Sequence, residues 1–244
     1  RCQGIVMPAI QRFSTTALLA ALLLSSATSV ADAAGMVPQT PILILEESAG
    51  EASINVTNTE PNPALLHTRI ENVPEDTELL LLLTPPVARV ESGGTQLVRF
   101  ILRSAEPLQT ERLKRVIFEG IQPLEKGSNA RVSLTVKQNI PAILRPKNLP
   151  IERQPWTLLK WSVQDTQLQV SNPSPYVVRL ANTVNLLPGD ASVDLGRSYI
   201  LPGEKLRLTS ASPLPATATQ VRLYPATMYG FAAGNFDAPL VTGE

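Results

Sequence analysis

Three aliphatic residues at period two, Val132, Leu134 and Val136, carry the clearest functional signal of this chain. They alternate with Arg131, Ser133, Thr135 and Lys137, which places them together on one face of a strand. Such a strip breaks no bonds. At a sheet edge it can be lent to a partner, pairing with its backbone and filling its apolar pockets. In the competing reading the same face points into its own core and meets no partner. Bond-breaking chemistry has little to work with. His67 is the single histidine and Cys2 the single cysteine, so neither a Cys–His pair nor a multi-His metal site can be built. No G-x-S-x-G, Gly-rich phosphate loop or H-E-x-x-H occurs. His67 falls within a strand pattern as a solvated or packed side chain. Trp156 and Trp161 read as core, and Tyr176 as packing at a strand start.

The elements that position the strip read as strands throughout. The 22 prolines of the 244 residues interrupt any long helix and suit the turns of an all-β protein. Equal numbers of basic and acidic residues, 21 each, argue against nucleic-acid binding, which needs a basic excess. Met7–Ala33 has the layout of a secretory signal, with Arg12, the apolar run Ala17–Leu24, and Ala31 and Ala33 at the −3 and −1 positions. The six residues before Met7 read as an over-extended start. The apolar run is too short to span a membrane. Roughly two hundred residues remain, enough for two domains of roughly a hundred. They contain no cysteine, so no disulfide is needed in an oxidising compartment.

The first domain, residues 34–146, reads as seven strands: Gln39–Leu45, Ala52–Asn58, Ala64–Glu71, a buried apolar run Leu79–Thr84 resuming at Val87–Val90, Gln96–Leu102 with Leu97, Phe100 and Leu102 as its apolar positions, Leu113–Ile121, and the strand from Arg131. Arg145-Pro146 ends it, because proline lacks a donor. Residues 147–155 form a linker. The second domain, 156–244, reads as strands at Trp156–Val163, Gln167–Ser171, Tyr176–Asn182, Ser198–Leu201, Lys205–Thr209 and Gln220–Pro225. Asn172-Pro173-Ser174-Pro175 and Leu187-Pro188-Gly189-Asp190 are turns. Spacing of this kind predicts β-sandwiches.

These residues resemble the PapD-like periplasmic chaperones of pilus assembly. Thr84-Pro85-Pro86-Val87-x-Arg89-Val90 with Gly93, then Gln96-Leu97-Val98-Arg99, resemble that family's fourth and fifth strands. Val132-x-Leu134-x-Val136 followed by Arg145-Pro146 resembles its seventh strand and exit. Asn172-Pro173-Ser174-Pro175-Tyr176 resembles its N-P-T-P-Y segment, and Leu201-Pro202-Gly203 and Tyr229-Gly230 fall at later landmarks. The resemblance implies two immunoglobulin-like domains arranged as an L, with no enzymatic activity, cofactor, metal or small-molecule substrate. Its partners would be pilus subunits and an outer-membrane usher, and Val132, Leu134 and Val136 the donor residues. The short loop Gln122–Ala130 goes, in that family, with rod-like adhesive pili. A secreted two-domain adhesin or surface-binding module of immunoglobulin type is the alternative.

The chain departs from the family pattern at three positions. The two cations that hold a subunit's terminal carboxylate are replaced by Pro41 and Pro141. Either another cation serves, with Lys137, Arg115 and Arg69 the choices by sequence position, or the tail is held differently. The family's three-residue link between domains has Glu111 and Arg145 in its first two positions and Met228 in the third.

Overall fold

The computed structural model describes residues 35–122, 136–210 and 213–242. Val132, Leu134, the loop residues 123–130 and residues 1–34 lie outside them. The first half contains β1 (Met36–Pro38), β2 (Leu43–Glu46), β3 (Glu51–Asn58), β4 (Ala64–Asn72), β5 (Leu81–Thr84), β6 (Val87–Val90), β7 (Thr95–Leu102), β8 (Arg112–Ile121) and β9 (Lys137–Arg145). They form two sheets, β1-β3-β7-β5 and β2-β9-β8-β4-β6. Phe100 of β7 meets Phe118 of β8 edge to face at 6.5 Å, joining the sheets through the core.

Two segments change sheets, and proline accounts for both. Gln39–Leu45 is not one strand. β1 pairs with β3, whereas β2 pairs in parallel with β9. Pro38 and Pro41 cannot donate to a ladder, so the chain crosses between sheets there. β5 and β6 likewise pair with β7 and β4 respectively, on either side of Pro85-Pro86. Because β5 is an edge strand with one wet face, Leu79–Thr84 is not buried throughout. Leu79 is 81% and Leu82 49% exposed, while Leu80 and Leu81 are buried. On β7 Val98, Phe100 and Leu102 pack inward, and Leu97 points to solvent.

The second half opens with a 3-10 turn at Pro155–Leu158. β10 (Lys160–Gln164), β11 (Gln167–Ser171), β12 (Val178–Arg179), β13 (Thr183–Leu187), β14 (Ala191–Asp194), β15 (Tyr199–Ile200), β16 (Lys205–Leu208), β17 (Gln220–Leu223) and β18 (Phe236–Thr242) follow. β18 stitches the sandwich: Phe236–Pro239 pairs with β17 and Leu240–Thr242 with β10. The patterning did not reveal β13, β14 or β18, and the expected strand Tyr176–Asn182 is regular only at β12. Trp161, Leu168, Val184 and Val221 fill this core.

Lys114 is 1% exposed. Its Nζ donates to Asp76 Oδ1 at 2.9 Å and to the Asp76 carbonyl at 2.8 Å, while Arg112 Nε donates to Asp76 Oδ2 at 2.6 Å. Burial alone would raise the Asp76 carboxyl, but the Arg112 and Lys114 hydrogen bonds prevail and hold it below 3.8. Removing one member of a buried pair strands the other, at a cost of about 3–5 kcal/mol. We expect Asp76→Asn to lower the unfolding free energy by about 3 kcal/mol in urea titrations at neutral pH. The stability Asp76 contributes is complete above its unfolded value and is lost as pH falls through the lower folded one. The variant's deficit therefore shrinks below about pH 4, read from the same titrations.

Candidate functional site

The site begins with the backbone of β9. On one side β9 pairs with β8 along its whole length, from Lys137↔Glu119 to Leu144↔Arg112. On the other, β2 covers only Ala142–Arg145. Among the described residues no strand pairs with Lys137–Pro141 on that side. The Arg145 carbonyl accepts the Glu47 N–H at 2.9 Å on the β2 side. Peptide groups alternate along a strand, so those of Pro141, Asn139 and Lys137 face the same side. Pro141 therefore sits mid-strand without costing a bond to β8, because its missing donor would have faced the free edge. This edge runs directly into Val136, which is 37% exposed.

The outer face of this sheet is charged. Glu119 accepts from Arg69 Nη1 at 3.0 Å and from Lys137 Nζ at 3.2 Å, and His67 Nδ1 lies 3.9 Å away. Arg69 Nε also donates to Glu71 at 2.9 Å. Burial tends to raise the Glu119 carboxyl, but Lys137 and Arg69 pull it below its ordinary value. Two of the three cations expected from position are thus paired with carboxylates. Arg115 is not. It donates to Asn139 Oδ1 at 2.7 Å and to the Asn139 carbonyl at 3.1 Å, which faces the free edge. Pro141 is buried opposite Arg115. Pro41 is exposed, and a Cβ on Gly230 would approach its ring to 3.1 Å.

Beyond this face the second half closes against the first. Asn172 folds its own turn: Nδ2 donates to the carbonyls of Tyr176 (2.8 Å) and Leu201 (3.1 Å), and Oδ1 accepts from Ser174 Oγ (2.6 Å). That turn presents the Pro175 carbonyl to the Glu111 N–H (2.8 Å) and the Val177 N–H to Glu111 Oε2 (2.9 Å). Glu111 Oε1 accepts from Arg145 Nε at 3.1 Å, and Arg145 Nη1 donates to Glu46 at 2.8 Å. Sequence reasoning paired Glu111 with Arg145 but left the third place to Met228. In the structure the Val177 amide takes the second carboxylate oxygen, and Met228 lines the adjacent recess. Burial pushes the Glu111 carboxyl above 4.5 despite the Val177 N–H and Arg145.

Two further ties had no local sequence signal. Ile42, Val73, Leu113, Ile143 and Val177 form an apolar cluster shared by both halves. Glu75 accepts from the Tyr199 hydroxyl at 2.8 Å and pairs with Arg197, which lies 4.9 Å over the Tyr199 ring. Burial would raise Glu75, but Tyr199, its own backbone N–H and Arg197 bring it below 4.5. Its partners lie more than a hundred residues away, beyond the reach of any pattern window.

Residues 35–150 match the family of pili and flagellar-assembly chaperones, PapD N-terminal domain, and residues 154–233 match the pili assembly chaperone PapD, C-terminal domain. The chain is 42% identical over 205 residues to the fimbrial chaperone YhcA of Escherichia coli (strain K12), covering 84% of this chain and 90% of that protein. It is 26% identical over 193 residues to the chaperone protein PmfD of Proteus mirabilis (strain HI4320), covering 75% of this chain and 73% of PmfD. Among solved structures, the SafB chaperone of Salmonella enterica has a TM-score of 0.70 at 20% identity, covering 86% of this chain and 98% of SafB. The CupB2 chaperone of Pseudomonas aeruginosa has 0.67 at 23%, covering 84% and 100%.

Replacing Glu111 tests the joint. Glu111→Ala leaves the Val177 amide without its acceptor and Arg145 with Glu46 and the Pro150 carbonyl. An orphaned buried donor costs about 1–3 kcal/mol. Hydrogen exchange at the Val177 amide should accelerate at least tenfold, while amides in the centre of β11 keep their rates. An unchanged Val177 rate would remove Glu111 from the joint.

Proposed function

The chain belongs to the PapD-like family of pilus-assembly chaperones, and we propose that it works in the periplasm, binding pilus subunits by donor-strand complementation and passing them to an outer-membrane usher. It acts by binding, without a chemical step or a cofactor. The observation that carries this reading is the free edge of β9 leading into Val136. A subunit with an incomplete sandwich exposes unpaired N–H and C=O groups beside an apolar groove, a hazard for aggregation. A donated strand satisfies the backbone, and alternate side chains fill the groove. Val132, Leu134 and Val136 are the proposed donors. SafB was solved in complex with SafA pilin, which supports the same kind of partner here.

The energies fit a partner that must later be released. Burying one leucine and two valines contributes about 5–8 kcal/mol. Association costs about 4–15 kcal/mol. The side chains alone therefore do not make a permanent complex, and backbone pairing and the surrounding face supply the surplus.

The test is co-expression with a pilus subunit encoded beside this gene, followed by purification through a tag on the chaperone. A one-to-one complex is expected, and Leu134→Glu or Val136→Glu should reduce recovered subunit at least tenfold with the chaperone still folded. Recovery unchanged in both variants, or a subunit that stays soluble alone, would overturn the proposal.

A further inference from the structure

The outer face of the second half's sheet carries positive charge without a counterpart. Trp161 of β10, Leu168 and Val170 of β11 and Leu208 of β16 pack into the core, so the alternate residues of these strands point to solvent. The ladders align them in rows. Lys160, Ser171 and Lys205 form one row, and Ser162, Gln169 and Arg207 the next. Val241 of β18 stands beside Ser162 and is 64% exposed. Lys160, Lys205 and Arg207 are exposed, and among the described residues no hydrogen bond or ion pair engages their side chains. Two strand spacings, roughly 10 Å, separate Lys160 from Lys205, and Arg207 lies roughly 7 Å further along β16.

The carboxylates on and beside these strands do not compensate. Glu204 turns to Arg197 and to the Leu201 N–H. Asp165 sits in the turn between β10 and β11, beyond the Gln164–Gln167 pair. Asp237 of β18 is bonded to Arg222 at 2.7 Å. A solvated face ordinarily mixes both signs, as the outer face of β4, β8 and β9 does around Glu119. Cations on an edge strand also deter aggregation, and that accounts for Lys205 and Arg207 on β16. It does not account for Lys160, because β10 lies between β18 and β11.

We infer that this face docks on the phosphate surface of an anionic lipid bilayer. Its cations are spread across three strands of one sheet, a layout for several phosphates side by side and not for a single compact ligand. Ser162, Ser171 and Gln169 between them offer hydrogen bonds to phosphate and glycerol oxygens. Val241 gives the face an aliphatic point to set against the headgroup boundary. The chain as a whole has equal numbers of basic and acidic residues, so the attraction comes from this face and not from net charge. Each basic side chain near such a surface contributes about fivefold in partition, and three together about a hundredfold. Docking of that strength is reversible. It holds or fails independently of the donor-strand reading, since none of these residues belongs to β9 or its edge.

The experiment sediments the chain from Ala34 onward, free of the apolar run Ala17–Leu24, with vesicles of phosphatidylglycerol or of phosphatidylcholine. At low salt, partition to phosphatidylglycerol should exceed that to phosphatidylcholine at least tenfold, and it should fall as salt rises. Lys160→Gln/Lys205→Gln/Arg207→Gln should lose at least tenfold with an unchanged urea midpoint. Arg89→Gln/Arg99→Gln/Arg103→Gln, at exposed arginines of the first half, makes the same change in net charge and should stay within twofold. Gln169→Glu, nearly isosteric, sets a negative charge among the three cations and should lose about fivefold, which keeps the test intact if the triple variant fails to fold. A fluorophore on Val241→Cys should shift to the blue on phosphatidylglycerol, and one on Ser53→Cys should not. Equal partition to both lipids, equal losses in the two triple variants, undiminished binding by Gln169→Glu, or no shift at position 241 would overturn the proposal. Tighter binding to polyglutamate than to phosphatidylglycerol at equal charge would make the partner an acidic protein and would overturn it as well.

Discussion

A missing neighbour organises this molecule. β9 has strands on both sides only from Ala142 onward, because the first strand of the sandwich is broken: β1 has gone to the opposite sheet and β2 begins too late to cover Lys137–Pro141. Pro38 and Pro41 enforce the break by withholding donors. An unpaired edge is ordinarily a liability that proteins blunt with charge and proline. Here both devices are present, in Lys137 and Pro141, yet the edge stays open and accessible. Pro141 is tolerated because its nitrogen faces the open side, so the ladder to β8 remains whole. The broken strand and the open edge are thus one feature seen from two sides.

The edge is useful only if the face beside it is held in place. Lys114 and Asp76, buried together, fix the turn after β4, and that turn carries Glu75 to Arg197 and Tyr199. Asn172 fixes the turn before β12, which delivers the Val177 amide to Glu111 and sets Arg179 two residues further along. Each half contributes a side chain that shapes its own loop, and each loop then bonds to the other half. The prolines flanking Ser174 acquire a physical meaning in this arrangement. They stiffen a turn whose carbonyl and amide both serve Glu111.

Much of the fold could be read from alternation and punctuation. The strands around Ile54 and Leu66 were legible because each has one wet face and one dry face. Leu79–Thr84 misled because a run of leucines at a sheet edge looks the same as one at its centre; only the neighbour count differs, and neighbours are set by topology. β13 and β14 escaped notice because Pro188-Gly189 reads as a turn between loops as readily as between strands. Within the site, the Glu111–Arg145 pairing was implied by the family pattern. The substitution of Pro41 and Pro141 was legible as well.

The carboxylates at and beside the joint between the halves fall into two electrostatic classes, and the difference bears on how the joint responds to acid. Glu75 and Asp76 have values below the ordinary ones, so their ionised forms stabilise the fold, and that contribution is lost only as pH falls through those lower values. Glu111 is shifted the other way by burial. Its ionised form is the one the fold disfavours, so falling pH relieves a cost as the group takes up its proton. A protonated Glu111 still has a carbonyl oxygen for the Val177 amide, while Arg145 keeps Glu46. The contact that aligns the second half therefore survives loss of the Glu111 charge, because it is made by a backbone hydrogen bond and not by the ion pair alone. The geometry of the joint therefore rests on backbone amides and apolar packing as well as on paired charge.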